Sequence, residues 1–212
     1  EDASTIEKDS LEIGMRKSHS TNVPHEKASN LETITSVNKT ILSALNDPTA
    51  AVPKDVIITI IPGDWAKNIA AKLAEQCVNV TAEELLTLWN DEAYLRSLMA
   101  EYSVLSEAIF KEGVNVYLEG YLMPETYYMN PLASADSLTR RILNQTQKVY
   151  DEHLTEFKDF GYTVHEIITL ASVVQFEART EEDMSMVSQV FLNRLDISMP
   201  LQSSVTVCYA LY

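Results

Sequence analysis

The chain of 212 residues has few cysteines and glycines, and its 4 histidines form no metal-ligand spacing. Cys77 and Cys208 are too few for a disulfide framework, so we expect a free, buried thiol at each position. With only 5 glycines and 7 prolines, the composition excludes collagen-like and low-complexity chains. The segment HEIIT begins at His165 like a zinc-protease helix, but Thr169 stands where HExxH requires histidine. We therefore predict neither a metal nor a cofactor.

Positive charge is also scarce: 16 Lys and Arg oppose 31 Asp and Glu, which gives a formal net charge of −15. Such a surface repels nucleic acid phosphates and anionic lipid headgroups, so we expect neither as a partner. No apolar run approaches the roughly 18 residues that a transmembrane helix needs. The 46% apolar content excludes a disordered chain and predicts a folded protein with a substantial core.

The chain changes character near residue 50. Residues 1–30 are polar and weakly periodic, a helical pattern follows, and the two prolines of 46–55 predict a linker. Beyond it, the patterns predict a strand at VIITI with a Pro-Gly turn, then helices over 64–77, 81–89 and 92–111, strand and loop over 114–129, one long helix over 134–160, and two helices starting near Thr163 and Thr180. This order lacks a βαβ repeat and predicts a helix-rich α+β fold.

The stretch LASVVQFEAR, residues 170–179, places one carboxylate among apolar side chains. At about 100° per residue, Glu177 falls within the arc of Leu170 and Val174, whereas Arg179 falls outside it. A carboxyl group held against apolar walls has a raised pKa, as a general acid requires. A structural alternative remains open, in which Glu177 reaches solvent or pairs with Arg179 or Arg194. Periodicity does not decide between the two.

Five segments in one order resemble the endolytic murein transglycosylase family, the YceG-like proteins. They are ITIIPGDWAKNIAAKLAE (58–75), LEGYLMPETYY (118–128), ITLASVVQFEAR (168–179), VSQVFLNRL (187–195) and MPLQSSVTVCYAL (199–211). The resemblance covers about residues 55–212, and residues 8–50 more loosely resemble the end of the family's LysM-like subdomain. It implies an N-terminal extension with the end of that subdomain over 1–52, and a YceG-like transglycosylase domain over 53–212.

The family's activity is internal cleavage of nascent peptidoglycan strands between N-acetylmuramic acid and N-acetylglucosamine, which leaves 1,6-anhydro-muramyl ends and limits strand length. The resemblance therefore implies peptidoglycan glycan strands as substrate and the cell-wall synthesis machinery as a possible partner. It also implies a single-pass protein of the cell membrane with its catalytic domain outside the cytoplasm, held by an anchor that this sequence does not contain.

The resemblance assigns roles to particular residues. Glu177 matches the second carboxylate of the family's E-x-E signature, and one carboxylate suffices as acid and base when the substrate's own C6 hydroxyl replaces water. Glu119, Tyr121 and Gln202 are expected to line the glycan cleft. Asn193 and Arg194 are expected to position the catalytic helix or a substrate N-acetyl group, with a purely structural hydrogen-bonding role as the alternative.

Three departures from the family pattern keep other functions open. Gln175 replaces the first Glu of the signature, Ser204 and Val205 replace a frequent Asp-Pro, and family members continue beyond the position of Tyr212. We therefore expect a domain that is incomplete at its C-terminus. The first alternative function is a catalytically weak cell-wall scaffold or glycan-binding protein. The second is a hydrolytic muramidase that uses Glu177 together with Glu119.

Overall fold

A computed structural model describes residues 53–211. The predictions for residues 1–52, including the polar extension, its helix and the LysM-like segment, lie outside the described residues. The proposed boundary between the two domains therefore stays a prediction.

A two-stranded antiparallel sheet joins β1, Val56–Ile60, to β2, Glu125–Met129. Val56 pairs with Met129, and Ile60 pairs with Glu125. Side chains alternate across the sheet, so Ile58 and Tyr127 enter the core while their neighbours face outward. The predicted strand at VIITI is confirmed, and the second strand lies within the segment predicted as strand and loop.

Three helices follow β1 and form one side of the main core: α1 (Ala66–Gln76), α2 (Ala82–Leu88) and α3 (Glu92–Leu98). Ile69, Leu73 and Cys77 are buried, as the spacing of four predicts. Cys77 and Cys208 are both free thiols, but only Cys77 is buried, so the expectation of a buried thiol is wrong for the exposed Cys208.

The prediction of a helix over 92–111 is wrong beyond Leu98. The chain turns there, and a short 3-10 helix, Glu107–Ile109, follows. Backbone and side chains of this segment bond to the next long helix: the Val104 N–H donates to Gln147 Oε1 at 3.0 Å, and the Tyr102 hydroxyl donates to Asn144 Oδ1 at 2.9 Å. These tertiary bonds replace bonds within a helix, because the segment buries its apolar side chains through turns.

The region predicted as one long helix is divided at His153 into α4, Ala135–Glu152, and α5, Leu154–Asp159. The buried face of α4 includes Leu138 and Ile142, whereas α5 buries no residue. The predicted continuous helix is therefore wrong at this residue, since the core that supports α4 does not extend along α5. Gly161, with φ 80°, follows α5 in the left-handed conformation that glycine adopts at helix ends.

Three further helices complete the described fold: α6 (Val164–Glu177), α7 (Glu181–Asp196) and α8 (Ser204–Ala210). The first half of α6 packs Val164 and Ile168 on the main core. Its second half forms a small cluster in which Val173 and Val174 meet Phe191 of α7. The helix-rich α+β architecture is as predicted. No helix within residues 53–211 is long and apolar enough to cross a membrane.

Candidate functional site

Glu177 is the last residue of α6, and its side chain is exposed. The prediction that apolar side chains enclose it is therefore wrong. A helical wheel gives the direction of a side chain around the axis, but it does not show where the packing partners end. Here Val173 and Val174 are covered, and the chain leaves the helix at Ala178, one residue after Glu177. Gln175 is half-buried.

Among residues 53–211, the hydrogen-bond partner of Glu177 is Ser203, whose hydroxyl donates to Glu177 Oε1. Ser203 is 6% exposed and is the N-cap of α8, where its Oγ accepts from the Val205 N–H at 3.2 Å. The alternative in which Arg194 pairs with Glu177 is not observed, because the Arg194 guanidinium donates to the Leu201 carbonyl. A fixed hydroxyl thus holds an exposed carboxyl group.

The segment that carries Ser203 is tied to the end of α7. The Met199 N–H donates to the Arg194 carbonyl at 2.7 Å, and the Arg194 side chain bonds the Leu201 carbonyl. Gln202 adopts φ 54°, the left-handed conformation that non-glycine residues rarely take, and its side chain is exposed. Arg194 therefore positions this segment, which agrees with the structural alternative. Asn193 is exposed and accepts from Gln189 Nε2 at 2.9 Å.

Glu119 is half-buried at the N-terminus of α1, where its Oε1 accepts from the Ala66 N–H at 3.0 Å. Burial raises the pKa of the Glu119 carboxyl, and the hydrogen bond from Ala66 partly opposes that rise. Glu119 also lines a cavity of about 230 Å³ together with Asn115 and Tyr209. Its carboxyl therefore caps a helix and borders a cavity.

Tyr121 is only 1% exposed, so its ring is not available to a glycan and the predicted cleft role is wrong in this structure. Its hydroxyl lies 2.9 Å from His165 Nδ1, and the two rings are stacked with centroids 6.1 Å apart. The preceding Gly120, with φ 82°, passes so close to α6 that a Cβ atom would lie 2.8 Å from Ile168 Cγ2. The LEGY segment, residues 118–121, thus contacts both the main core and α6, the helix that carries Glu177.

The contact between Tyr121 and His165 predicts a pH dependence of folding. Desolvation lowers the pKa of His165 from 6.5, Lys111 lowers it further, and Glu166 opposes the change. Near and below pH 6.5 the unfolded chain therefore binds more protons at His165 than the folded chain does. The contribution of His165 to the free energy of unfolding is fully present above that pH, and it is lost as the pH drops toward the folded-state pKa.

We therefore expect urea unfolding to show that wild type loses more stability on acidification than His165→Gln does. His153→Gln, which replaces an exposed histidine and leaves His165 in place, should retain the His165-dependent loss. Parallel curves for wild type and His165→Gln between about pH 7.5 and 5 would contradict this prediction.

An aromatic group that the sequence analysis did not identify joins three elements through Phe176, the residue before Glu177. Trp65, the N-cap of α1, makes an edge contact with Phe176 at 6.0 Å between ring centroids and lies 5.7 Å from the Tyr209 ring. The Tyr209 hydroxyl in turn accepts from the Asn115 N–H at 3.0 Å. No local sequence pattern indicated the contact of Trp65 with Tyr209.

Ser203 was also missed, although its place immediately before a short helix is typical of an N-cap. Nowhere in the described part of the chain do three His, Cys, Asp or Glu side chains stand close enough to hold a metal ion. The candidate site consists of the Glu177 carboxyl, the Ser203 hydroxyl that donates to it, and the exposed Gln202 next to Ser203 in the chain.

Residues 29–212 match the model of the YceG-like family. The chain is 31% identical over 155 residues to the endolytic murein transglycosylase of Bacillus subtilis (strain 168), a match that covers 72% of this chain and 43% of the relative. It is 34% identical over 134 residues to the endolytic murein transglycosylase of Streptococcus pneumoniae serotype 2, which covers 62% of this chain and 24% of that protein. The chain thus spans less than half the length of these curated relatives.

A solved structure agrees with these sequence matches. The crystal structure of a YceG-like protein from Listeria monocytogenes has a TM-score of 0.69 and 26% sequence identity with this chain. The match covers 74% of this chain and 52% of that one. The resemblance found in the sequence motifs is confirmed, and this chain belongs to the YceG-like family.

Proposed function

We propose that the chain contains the catalytic region of an endolytic lytic transglycosylase, with Glu177 as its acid and base. The observation that carries the proposal is an accessible carboxyl at the end of α6, held at one oxygen by the buried hydroxyl of Ser203. The names of the two curated relatives support peptidoglycan as the substrate. The bond cleaved is the β-1,4 bond from N-acetylmuramic acid to N-acetylglucosamine.

In the first step, the protonated Glu177 carboxyl donates its proton to the glycosidic oxygen as the bond from C1 to that oxygen breaks. The departing N-acetylglucosamine keeps the oxygen as a hydroxyl, and positive charge develops at C1 of the muramyl residue. The Glu177 carboxylate then accepts the proton of the C6 hydroxyl while O6 bonds to C1. The product is a 1,6-anhydro ring, the carboxyl is regenerated, and no water is consumed.

Exposure of Glu177 is compatible with this role because the substrate is a polymer that must reach the carboxyl from outside. A bound glycan excludes water from the carboxyl, and exclusion of water favours the neutral form of a carboxylic acid. The apolar enclosure that the sequence pattern suggested would have provided this effect before binding. In the proposed mechanism, the substrate provides it instead.

Other residues have proposed roles that follow their positions. Gln202 and Asn193 are exposed and carry amide groups suited to sugar hydroxyl and N-acetyl groups. Glu119 borders the cavity that it shares with Tyr209 and is a candidate for a more distant contact with the glycan. Tyr121 is excluded from substrate contact by its burial, and Arg194 acts through the segment that it holds.

Mass analysis of the products tests the reaction type. Purified glycan strands are incubated with the chain, and the new ends are identified by mass spectrometry. We expect ends that lack one water, about 18 Da lighter than hydrolysed ends. Free reducing ends would overturn the lytic mechanism and favour a hydrolytic muramidase. Internal cleavage predicts fragments of intermediate length early in the reaction, whereas release of single disaccharides would indicate an enzyme acting from chain ends.

The cellular part of the proposal rests on the family resemblance. We propose that the protein acts on the outer side of the cytoplasmic membrane, limits the length of new glycan strands and works beside the cell-wall synthesis machinery. Cell fractionation with protease accessibility tests the location, and the strand-length distribution in a deletion strain tests the role. A distribution that is unchanged by deletion would contradict the length-limiting role.

A further inference from the structure

Ser203 occupies an unusual place for a helix cap, since the same hydroxyl serves both the backbone of α8 and the side chain of Glu177. Its Oγ accepts the Val205 N–H at 3.2 Å and donates to Glu177 Oε1. The residue is 6% exposed, and its own carbonyl accepts from the Thr206 hydroxyl at 2.8 Å. Backbone and side chain of Ser203 are therefore both held in place.

The direction of the hydrogen bond follows from the chemistry of the two groups. An ionised carboxylate only accepts hydrogen bonds, and a serine hydroxyl has one proton to donate. Because a lone pair of Oγ is already directed at the Val205 N–H, the hydroxyl proton is free to point at Glu177. Oε1 is then occupied as an acceptor, so a proton carried by the carboxyl resides on Oε2.

Arg194 and the two residues immediately before Ser203 hold it in position. The Arg194 guanidinium donates a hydrogen bond to the Leu201 carbonyl, two residues before Ser203. Gln202, the residue between them, is held at φ 54°, a left-handed conformation that is strained for a residue with a side chain. A strained residue next to a carboxyl-binding hydroxyl is typical of a site whose geometry is imposed by its surroundings.

We infer that Ser203 is a positioning residue for Glu177: it holds Oε1 and leaves Oε2 to carry the transferred proton. This inference rests on the proposed function, because it concerns the acid and base of that reaction. The proton leaves Oε2 for the glycosidic oxygen and returns to Oε2 from the C6 hydroxyl. Oε1 keeps the hydrogen bond from Ser203 in both steps, so the carboxyl does not rotate between them.

Three variants of the full chain test this role through steady-state cleavage of glycan strands. Ser203→Ala removes the donor, and we expect kcat to fall about 10- to 100-fold with KM changed less than about threefold, because a carboxyl free to rotate is misaligned. Ser203→Thr retains the hydroxyl and the cap, and we expect kcat within about threefold of wild type. Ser134→Ala is the matched control, since Ser134 is likewise a serine N-cap, at the start of α4.

The control separates positioning from folding. Ser134→Ala and Ser203→Ala each remove a cap, but only Ser203→Ala should lower kcat. If Ser203→Ala keeps the wild-type kcat while Glu177→Gln is inactive, this inference fails and the proposed function stands. If Ser203→Thr is as slow as Ser203→Ala although both are folded by circular dichroism, the hydroxyl is not what matters and the inference is also overturned. A wild-type chain without turnover overturns the proposed function and this inference with it.

Discussion

Glu177→Gln should lower the rate of glycan cleavage by at least about 100-fold, the lower end of what general acid–base catalysis contributes. Glutamine has the size of glutamate and keeps a carbonyl oxygen that can accept from Ser203, but it cannot transfer a proton. The fold should be unaffected, because Glu177 is exposed and surface substitutions usually change stability by less than about 0.5 kcal/mol. The measurement is the initial rate at which new strand ends appear.

Glu182→Gln is the control for this result. It makes the same chemical change at an exposed position in the first turn of α7, which has no proposed role, and it should cleave at the wild-type rate. A Glu177→Gln variant that retains more than about a tenth of the activity would remove Glu177 as the acid. If wild type and variant both bind glycan strands and neither cleaves them, the scaffold or glycan-binding alternative becomes the better description.

Gly120→Ala is expected to produce the largest loss of stability among the substitutions considered, about 2–5 kcal/mol. The φ of 82° disfavours any residue with a Cβ atom by roughly 1–2 kcal/mol. The added Cβ would also meet Ile168 Cγ2 at 2.8 Å, and overpacking of this kind typically costs about 1–3 kcal/mol. Since Ile168 is a β-branched residue of α6, relief of the contact requires a shift of the helix that carries Glu177.

Gly113→Ala supplies the matched control, because Gly113 has φ 86° but a Cβ there would meet nothing within 4 Å. It should lose only the backbone contribution, about 1–2 kcal/mol, as measured by the free energy of unfolding in urea. The difference between the two variants isolates the contact with α6. In an Ile168→Ala background the penalty of Gly120→Ala should shrink toward that of Gly113→Ala. Equal losses at the two glycines in the wild-type background would show that the contact is unimportant.

These results bear on how the site is assembled. Glu177 depends on α6 for its place, α6 rests on the LEGY segment through Gly120 and Tyr121, and Ser203 reaches Glu177 from the segment that follows α7. A substitution at Gly120 should therefore lower activity as well as stability. If α6 keeps its position in the folded variant, the activity of the variant should fall only in proportion to the fraction of folded protein.

Much of the fold was predictable because its causes are local. The nearly continuous apolar run from Val56 to Ile61 indicated a strand, and the spacing of Ile69, Leu73 and Cys77 indicated the buried face of α1. Threonine N-caps at Thr163 and Thr180 start their helices as expected, with Thr163 and Glu166 forming a capping box. Each of these signals involves residues within a few positions of one another.

The errors occurred where distant residues decide the outcome. The helix predicted beyond Leu98 is replaced by turns because Gln147 and Asn144, more than 40 positions away from their partners, take up hydrogen bonds of that segment. The motif suggests that Tyr121 is available to substrate, yet His165 and the main core enclose its side chain. A motif preserves residue identities, but it does not tell whether a side chain faces a cleft or a helix.

The amino-acid sequence by itself determined the α+β class, the main strand and most helix starts, and the motifs that assign the chain to the YceG-like family. Only the tertiary structure decided that Glu177 is exposed, that Ser203 holds it, and that Trp65 contacts both Phe176 and Tyr209. The physical reason is that helical periodicity follows from local backbone geometry, whereas burial depends on what covers a side chain. For Glu177 the partner is Ser203, 26 residues further along the chain, and no local pattern links the two.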